Sequence, residues 1–274
     1  MNDDTPPRSE KDSHYARLRR EYRDRHATEK TEPLRLYGLH TVDAAIANPR
    51  RTIHRLRATR NAAQRLSQRR DGLEPEIVEP KLLDRLVGSD AVHQGVVADV
   101  APLPERRLGD LSSTDLVLVL DRITDPHNVG AILRSAVAMK AGAVVMTARH
   151  APNETMVLAK AASGALEHVD IIRVRNLSET IESLRTDGFT TVGLDSDGVN
   201  EMEQAMTDGP IALVLGAEGK GLRQRTRETV DVLARLDMPG PIRSLNVSNA
   251  AALSLYIARR HLNGMNRNSA QSTT

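Results

Sequence analysis

The chain has 274 residues, 39% hydrophobic and 27% charged, with a formal net charge of +2, which suits a core-bearing protein of one large or two ordinary domains. It holds no cysteine, which excludes disulfides, thiolate metal sites and cysteine nucleophiles. One Phe, four Tyr and no Trp are too few rings for a wide base-stacking platform, and no apolar run reaches the roughly 20 residues that span a bilayer.

Residues 1–33 carry 8 basic and 8 acidic side chains and few branched apolar ones, so they read as a disordered charged tail. Within it, Arg17-Leu18-Arg19-Arg20 has the chemistry to touch RNA, although a solvated tail with a transient helix accounts for it better. Acids are plentiful and no basic stretch leads into an apolar one, so neither a secretory signal nor a transit peptide is expected. Absence of cysteine fits a cytoplasmic protein.

Residues 34–105 read as a small α/β module. It opens at Leu36-Tyr37-Gly38-Leu39-His40 and closes with a strand in His93-Gln94-Gly95-Val96-Val97-Ala98-Asp99-Val100. Between Pro49 and Arg70 lie eight arginines and no acid, among them Arg50, Arg51, Arg55 and Arg57. Arginine pairs with phosphate bidentately and stays charged, so a one-signed run suits a polyanion such as RNA. A set of intramolecular ion pairs is the competing account. Pro102 and Pro104 then mark a linker.

Residues 110–265 alternate. Leu116–Leu120, Ala143–Met146, Val169–Val174, Thr191–Leu194 and Ile211–Leu215 read as strands. Asn128–Lys140, Glu154–Ser163, Leu177–Thr186 and Asn246–Arg260 read as helices, and residues 266–274 as a flexible tail. Near-continuous apolar strands between helices predict a parallel sheet with helices on both faces.

The first crossover runs Asp121-Arg122-Ile123-Thr124-Asp125-Pro126-His127-Asn128-Val129-Gly130. It lacks the G-x-G-x-x-G turn of a dinucleotide fold, and no Walker A sequence occurs. Asn128 lies at the strand-to-helix turn, where open α/β sheets bind ligands, and Arg134 follows on the helix. By spacing alone, a capping Asn and a surface Arg explain both. Ile211-Ala212-Leu213-Val214-Leu215 runs into Gly216-Ala217-Glu218-Gly219-Lys220-Gly221, a turn whose glycines let a ligand approach the backbone. Ser244-Leu245-Asn246-Val247-Ser248-Asn249 stands before an alanine-rich helix, where N-capping is expected. His127, His150 and His168 are isolated and no metal spacing occurs, so no metal is expected.

Three of these clusters resemble the motifs of the SpoU/TrmH family of RNA ribose 2′-O-methyltransferases, in the family's order. Asn128-Val129-Gly130-Ala131-Ile132-Leu133-Arg134-Ser135 resembles the first motif and Gly216-Ala217-Glu218-Gly219-Lys220-Gly221 the second. Leu236-Asp237-Met238-Pro239-Gly240 with Ser244-Leu245-Asn246-Val247-Ser248 resembles the third. Tyr37-Gly38-Leu39-His40 and His93-Gln94-Gly95 look like the L30e-like substrate-binding module of the branch that acts on large-subunit ribosomal RNA. The resemblance implies the SPOUT fold, with a C-terminal trefoil knot, a homodimer, and S-adenosylmethionine as methyl donor. The implied substrate is a guanosine of 23S rRNA, free or in a ribosome precursor. A transfer-RNA methyltransferase and a non-catalytic ribosome-assembly protein are the alternatives.

Carried over by motif, Gly216, Leu236, Met238 and Leu245 would line the donor pocket, with Ala217, Gly221 and Ser248. Asn128, Arg134, Glu218, Ser244 and Asn246 match the catalytic positions. Two departures stand out. Leu236-Asp237-Met238 occupies the place of the family's usual Ile-Pro-Met, and Arg243 stands where relatives often carry Glu or Ser. A proline missing from that loop removes a fixed φ.

Overall fold

The computed structural model describes residues 33–111 and 114–271, with side chains to Met265. The charged tail, including Arg17-Leu18-Arg19-Arg20, lies outside the described residues apart from Pro33, as do residues 272–274 of the expected C-terminal tail. From Leu34 on the described chain forms one compact unit.

β1 (Leu34–Tyr37), β2 (Ile53–Ala58), β3 (Glu76–Ile77) and β4 (Val96–Val100) form a four-stranded sheet in the order β1-β4-β2-β3. β4 runs antiparallel to β1 and β2, while β2 and β3 are parallel. The connections hold α1 (Leu39–Ala47), α2 (Arg60–Arg65) and α3 (Pro80–Val87).

The larger sheet contains β5 (Leu116–Asp121), β6 (Ala143–Thr147), β7 (Asp170–Val174) and β8 (Thr190–Leu194). It is completed by β9 (Asn200–Glu201), β10 (Ile211–Gly216) and β11 (Val232–Arg235). The order is β7-β6-β5-β10-β8-β11-β9, and every pairing is parallel. Its helices are α4 (Pro126–Ala138), α5 (Met156–Ala162), α6 (Leu177–Thr186), α7 (Gln224–Thr229) and α8 (Val247–Gln271).

The expected parallel sheet covered on both faces is present, and strand alternation explains it. Leu116, Leu118 and Leu120 of β5 join Ile132 and Leu133 of α4 and Ala251, Leu255 and Ala258 of α8 in one core. Val117 and Val119 point the other way, to Leu177, Ile181 and Leu184 of α6. Each fully buried Leu or Val contributes about 1.5–3 kcal/mol of transfer free energy, so both helical layers are held by the same strand. Gly130 explains how closely α5 sits on α4: a Cβ there would lie 2.4 Å from the Ala161 Cβ.

β9, α7 and β11, of 2, 6 and 4 residues, were not anticipated because they are too short to carry a period. α8 continues to Gln271, past the Arg260 end read from the pattern. No helix among the described residues is long and apolar enough to cross a membrane.

Candidate active site

The strands of the larger sheet share one direction, so their carboxyl ends face one edge. Three loops leave that edge: β5 to α4, β10 to α7, and the long β11 to α8 segment. β10 lies between β5 and β8 although it follows both in sequence, and that change of order opens a crevice at the edge.

α4 begins two residues earlier than the sequence suggested. Asp125 is its N-cap, accepting from the His127 and Asn128 amides at 3.2 and 3.3 Å, and Pro126 holds the first helical position. Asn128 therefore lies in the first turn, and its side chain is released from capping. Its Oδ1 accepts from Asn246 Nδ2 at 3.1 Å, and the same Nδ2 lies 3.4 Å from Glu218 Oε2. Asn246 caps α8: its Oδ1 accepts from the Ser248 amide at 2.9 Å and the Ser248 hydroxyl at 2.6 Å. Residues more than a hundred positions apart thus converge on one amide. Asn128 Nδ2 makes no bond to a described residue, nor does Glu218 Oε1, so a donor and an acceptor stay open beside each other.

The Gly216–Gly221 turn folds onto itself. Ala217 and Gly221 form an antiparallel bridge, and Gly221 donates its amide to Ala217 at 2.8 Å. A Cβ on Gly216 would lie 2.0 Å from the Gly221 carbonyl carbon, so no other residue fits. Leu236, Met238 and Leu245 are half-buried, and Leu236 packs on the main core. Arg243 reaches back to donate to the Met238 carbonyl at 3.2 Å, which closes the loop that holds Asp237. A glycine cradle beside half-buried aliphatic side chains fits a donor with an apolar face and polar edges.

Two candidate residues stand apart from this group. Arg134 is exposed on α4 and bonds no described residue. It follows Asn128 by six positions, which places it about 9 Å along the helix and about 240° around it. Ser244 is exposed and also unbonded.

The arginine run is not one surface. Arg51 is 1% exposed; its Nη2 lies 2.6 Å from both Glu154 and Glu167, and its Nη1 donates to the Ala101 carbonyl. Burial would lower its pKa, but hydrogen bonds and charge from Glu167, then Glu154, raise it above the ordinary value. Arg57 is 8% exposed and donates to Asp99 at 2.9 Å, and Arg50 pairs with Asp170 at 2.6 Å. Arg70 is spent on the carbonyls of Ala45, Ile46, Asn48 and Arg51. The reading of Arg50, Arg51 and Arg57 as free phosphate ligands is therefore corrected. Their counterions come from distant parts of the chain, where no local pattern announces them. Of the four named arginines, Arg55 is exposed without a described partner.

Sequence reasoning missed a buried carboxylate under the site. Asp121, at the end of β5, is 1% exposed. Its Oδ1 lies 2.7 Å from Arg223 Nε, and its Oδ2 accepts from the Arg223 amide and, at 2.8 Å, the Thr226 hydroxyl. A lone acid ending an apolar strand was the available signal. Among the described residues no group of three or more His, Cys, Asp or Glu could hold a metal.

Residues 115–256 match the SpoU rRNA Methylase family, and residues 35–106 match the RNA 2′-O ribose methyltransferase substrate binding family. The chain is 35% identical over 239 residues to the 23S rRNA (guanosine-2′-O-)-methyltransferase RlmB of Pseudomonas putida, covering 82% of this chain and 96% of that one. Identity to the RlmB of Pseudomonas syringae pv. tomato is 38% over 237 residues, covering 82% and 95%. Among solved structures, the SpoU methyltransferase AviRb of Streptomyces viridochromogenes in complex with AdoMet matches with a TM-score of 0.70 and 26% identity, covering 85% of this chain and 91% of that one.

Proposed function

Because the chain belongs to the SpoU rRNA Methylase family, we propose that it transfers the methyl group of S-adenosylmethionine to the ribose 2′-hydroxyl of a guanosine in 23S ribosomal RNA, in the cytoplasm. The observation that carries this reading is the Asn246 amide spanning Asn128 and Glu218, because it joins all three motif loops at one point.

The donor supplies a methyl group already activated on a positive sulfonium. Gly216, Ala217 and Gly221 would hold the donor through backbone groups, and Leu236, Met238 and Leu245 would cover its apolar face, while Ser248 keeps the Asn246 cap in place. A ribose hydroxyl is a weak acid, so the protein must orient it and relieve it of its proton. Asn128 Nδ2 donates to the sugar, and the open Glu218 oxygen accepts from it. Arg134 stabilises the emerging alkoxide by charge, since a guanidinium holds its proton too tightly to act as a base. Ser244 holds the adjacent phosphate.

Arg134 is turned about 120° around α4 from Asn128 and bonds no described residue, so on this reading a second copy of the chain completes the site. Exposed apolar side chains support this homodimer: Ile242, Leu253 and Tyr256 are 71%, 48% and 52% exposed, and the last two share a face of α8, which packs on α4. The placement of β10 between β5 and β8, with α8 returning past it to α4, supports the trefoil knot, a threading otherwise rare.

Methyl transfer from labelled S-adenosylmethionine to in-vitro-transcribed 23S rRNA, followed by mapping of 2′-O-methyl marks, tests the reading. Base methylation in place of ribose methylation would refute it. An assembly protein without activity would leave the RNA unlabelled and need not bind S-adenosylhomocysteine.

A further inference from the structure

Among the described residues, Gln94, Arg122, Lys140 and Ser163 are the non-glycine residues with a left-handed backbone, at φ of 55°, 61°, 54° and 48°. Three have a local reason. Lys140 and Ser163 follow the ends of α4 and α5, where such a residue ordinarily closes a helix. The Gln94 side chain accepts from the Leu39 amide at 2.9 Å and so caps α1. Arg122 follows a strand, and its exposed side chain bonds no described residue. Glycine would occupy this backbone at no steric cost, so the arginine is kept against the local preference.

Strand register shows what surrounds it. Asp121 lies opposite Gly216 of β10, and Leu120 lies opposite Met146 of β6. The three loops leaving these strands carry Arg122, then Arg149 with His150, then Arg223. Arg122 and Arg149 are exposed and pair with no described residue. Arg223 is tied to Asp121 through Nε, but its terminal nitrogens bond no described residue, and the side chain is 38% exposed. The acids at this edge each have a partner, although one Glu218 oxygen stays open. Asp121 is buried beneath Arg223 and Thr226, Asp125 caps α4, and Glu218 turns to Asn246. His150, with Nδ1 2.9 Å from the Thr147 hydroxyl, is held below the ordinary histidine range, first by burial and then by the charges of Arg122, Arg149 and Arg223. The strand order β6-β5-β10 sets the three loops side by side along the carboxyl edge of the sheet.

We propose that Arg122, Arg149 and Arg223 form a binding site for the phosphodiester backbone of the RNA substrate, at nucleotides beside the one whose ribose reaches Asn128 and Glu218. This rests on the RNA methyltransferase reading above. The same two loops that carry Asn128 and Glu218 carry Arg122 and Arg223, so a strand held by the arginines is presented to the open polar groups. Guanidinium forks suit phosphate oxygens, and this cluster supplies the outward positive charge that Arg51 and Arg57, turned inward, do not.

The test is the salt dependence of binding of the full chain to in-vitro-transcribed 23S rRNA. Replacing both residues, R122Q with R149Q, lowers the steepness of log K against log salt by about 1.4 to 1.8, as expected for two lost phosphate contacts. KM for RNA rises several-fold, while S-adenosylhomocysteine affinity holds. Arg122→Gly removes the same charge and relaxes the backbone, so its melting temperature holds or rises while RNA binding weakens. A purely structural Arg122 would give a glycine variant that binds RNA like the parent. An unchanged salt slope in the double variant overturns this site and leaves the enzymatic reading standing. Parent protein that takes up S-adenosylhomocysteine yet binds no RNA overturns both.

Discussion

Asn246 is oriented from both ends. Ser248 fixes its oxygen and Asn128 with Glu218 fixes its nitrogen, so the amide cannot rotate without losing bonds on both sides. The sequence showed this residue as a helix cap but not as a bridge, because its partners lie 118 and 28 positions away. Arg134 is the opposite case: its motif position was plain, yet it is exposed and bonds no described residue. Arg134→Ala lowers single-turnover methyl transfer by roughly 10²–10³, the scale of one lost transition-state contact. Calorimetric affinity for S-adenosylhomocysteine stays at the parent value. An equal loss in both measurements would place Arg134 in the donor pocket instead.

α8 shows how one element is locked and what pH does to it. Arg259 donates to both Asp115 oxygens at 2.8 Å and to the Met139 and Lys140 carbonyls. This joins the helix to the start of β5 and the end of α4. The hydrogen bonds from Arg259 hold the Asp115 carboxyl below the ordinary carboxylate range, against the opposing effect of burial. A carboxyl depressed in the folded state stabilises the protein above its unfolded pKa of about 3.9 and loses that contribution as pH falls through the lower folded value. For a pair this exposed the contribution is about 1 kcal/mol or less. Arg259→Met therefore lowers the melting temperature at neutral pH by about 2–4 °C. The gap to the parent narrows as pH falls below the unfolded value of about 3.9. A gap of constant size across that range would assign the loss to the carbonyl bonds alone. α8 was legible from its alanine-rich period, but the pair that anchors it joins residues 144 positions apart.

At the scale of the whole molecule, the small sheet is fastened to the large one by buried charge. Arg51 reaches Glu154 and Glu167, and Asn48 donates to Glu167 at 2.7 Å. Removing one partner from such a buried pair costs about 3–5 kcal/mol, which is why a residue suited to RNA serves packing instead. The proposed completion of the active site by a second copy has its own test. Arg134→Ala and Asn246→Ala chains, each inactive alone, regain methyl transfer when unfolded together and refolded; no recovery would mean that each chain carries a whole site. Residues along the chain determined the parallel sheet, since the apolar runs of Leu116–Leu120 and Ile211–Leu215 can be satisfied only between two helical layers. They also determined the motif turns, because glycine, asparagine and serine have local backbone chemistry that needs no distant partner. Which arginines turn inward, which acid holds each one, and which loops share an edge were decided only by the tertiary structure. Charge acts through space, and the order of strands in a sheet is not their order in the chain.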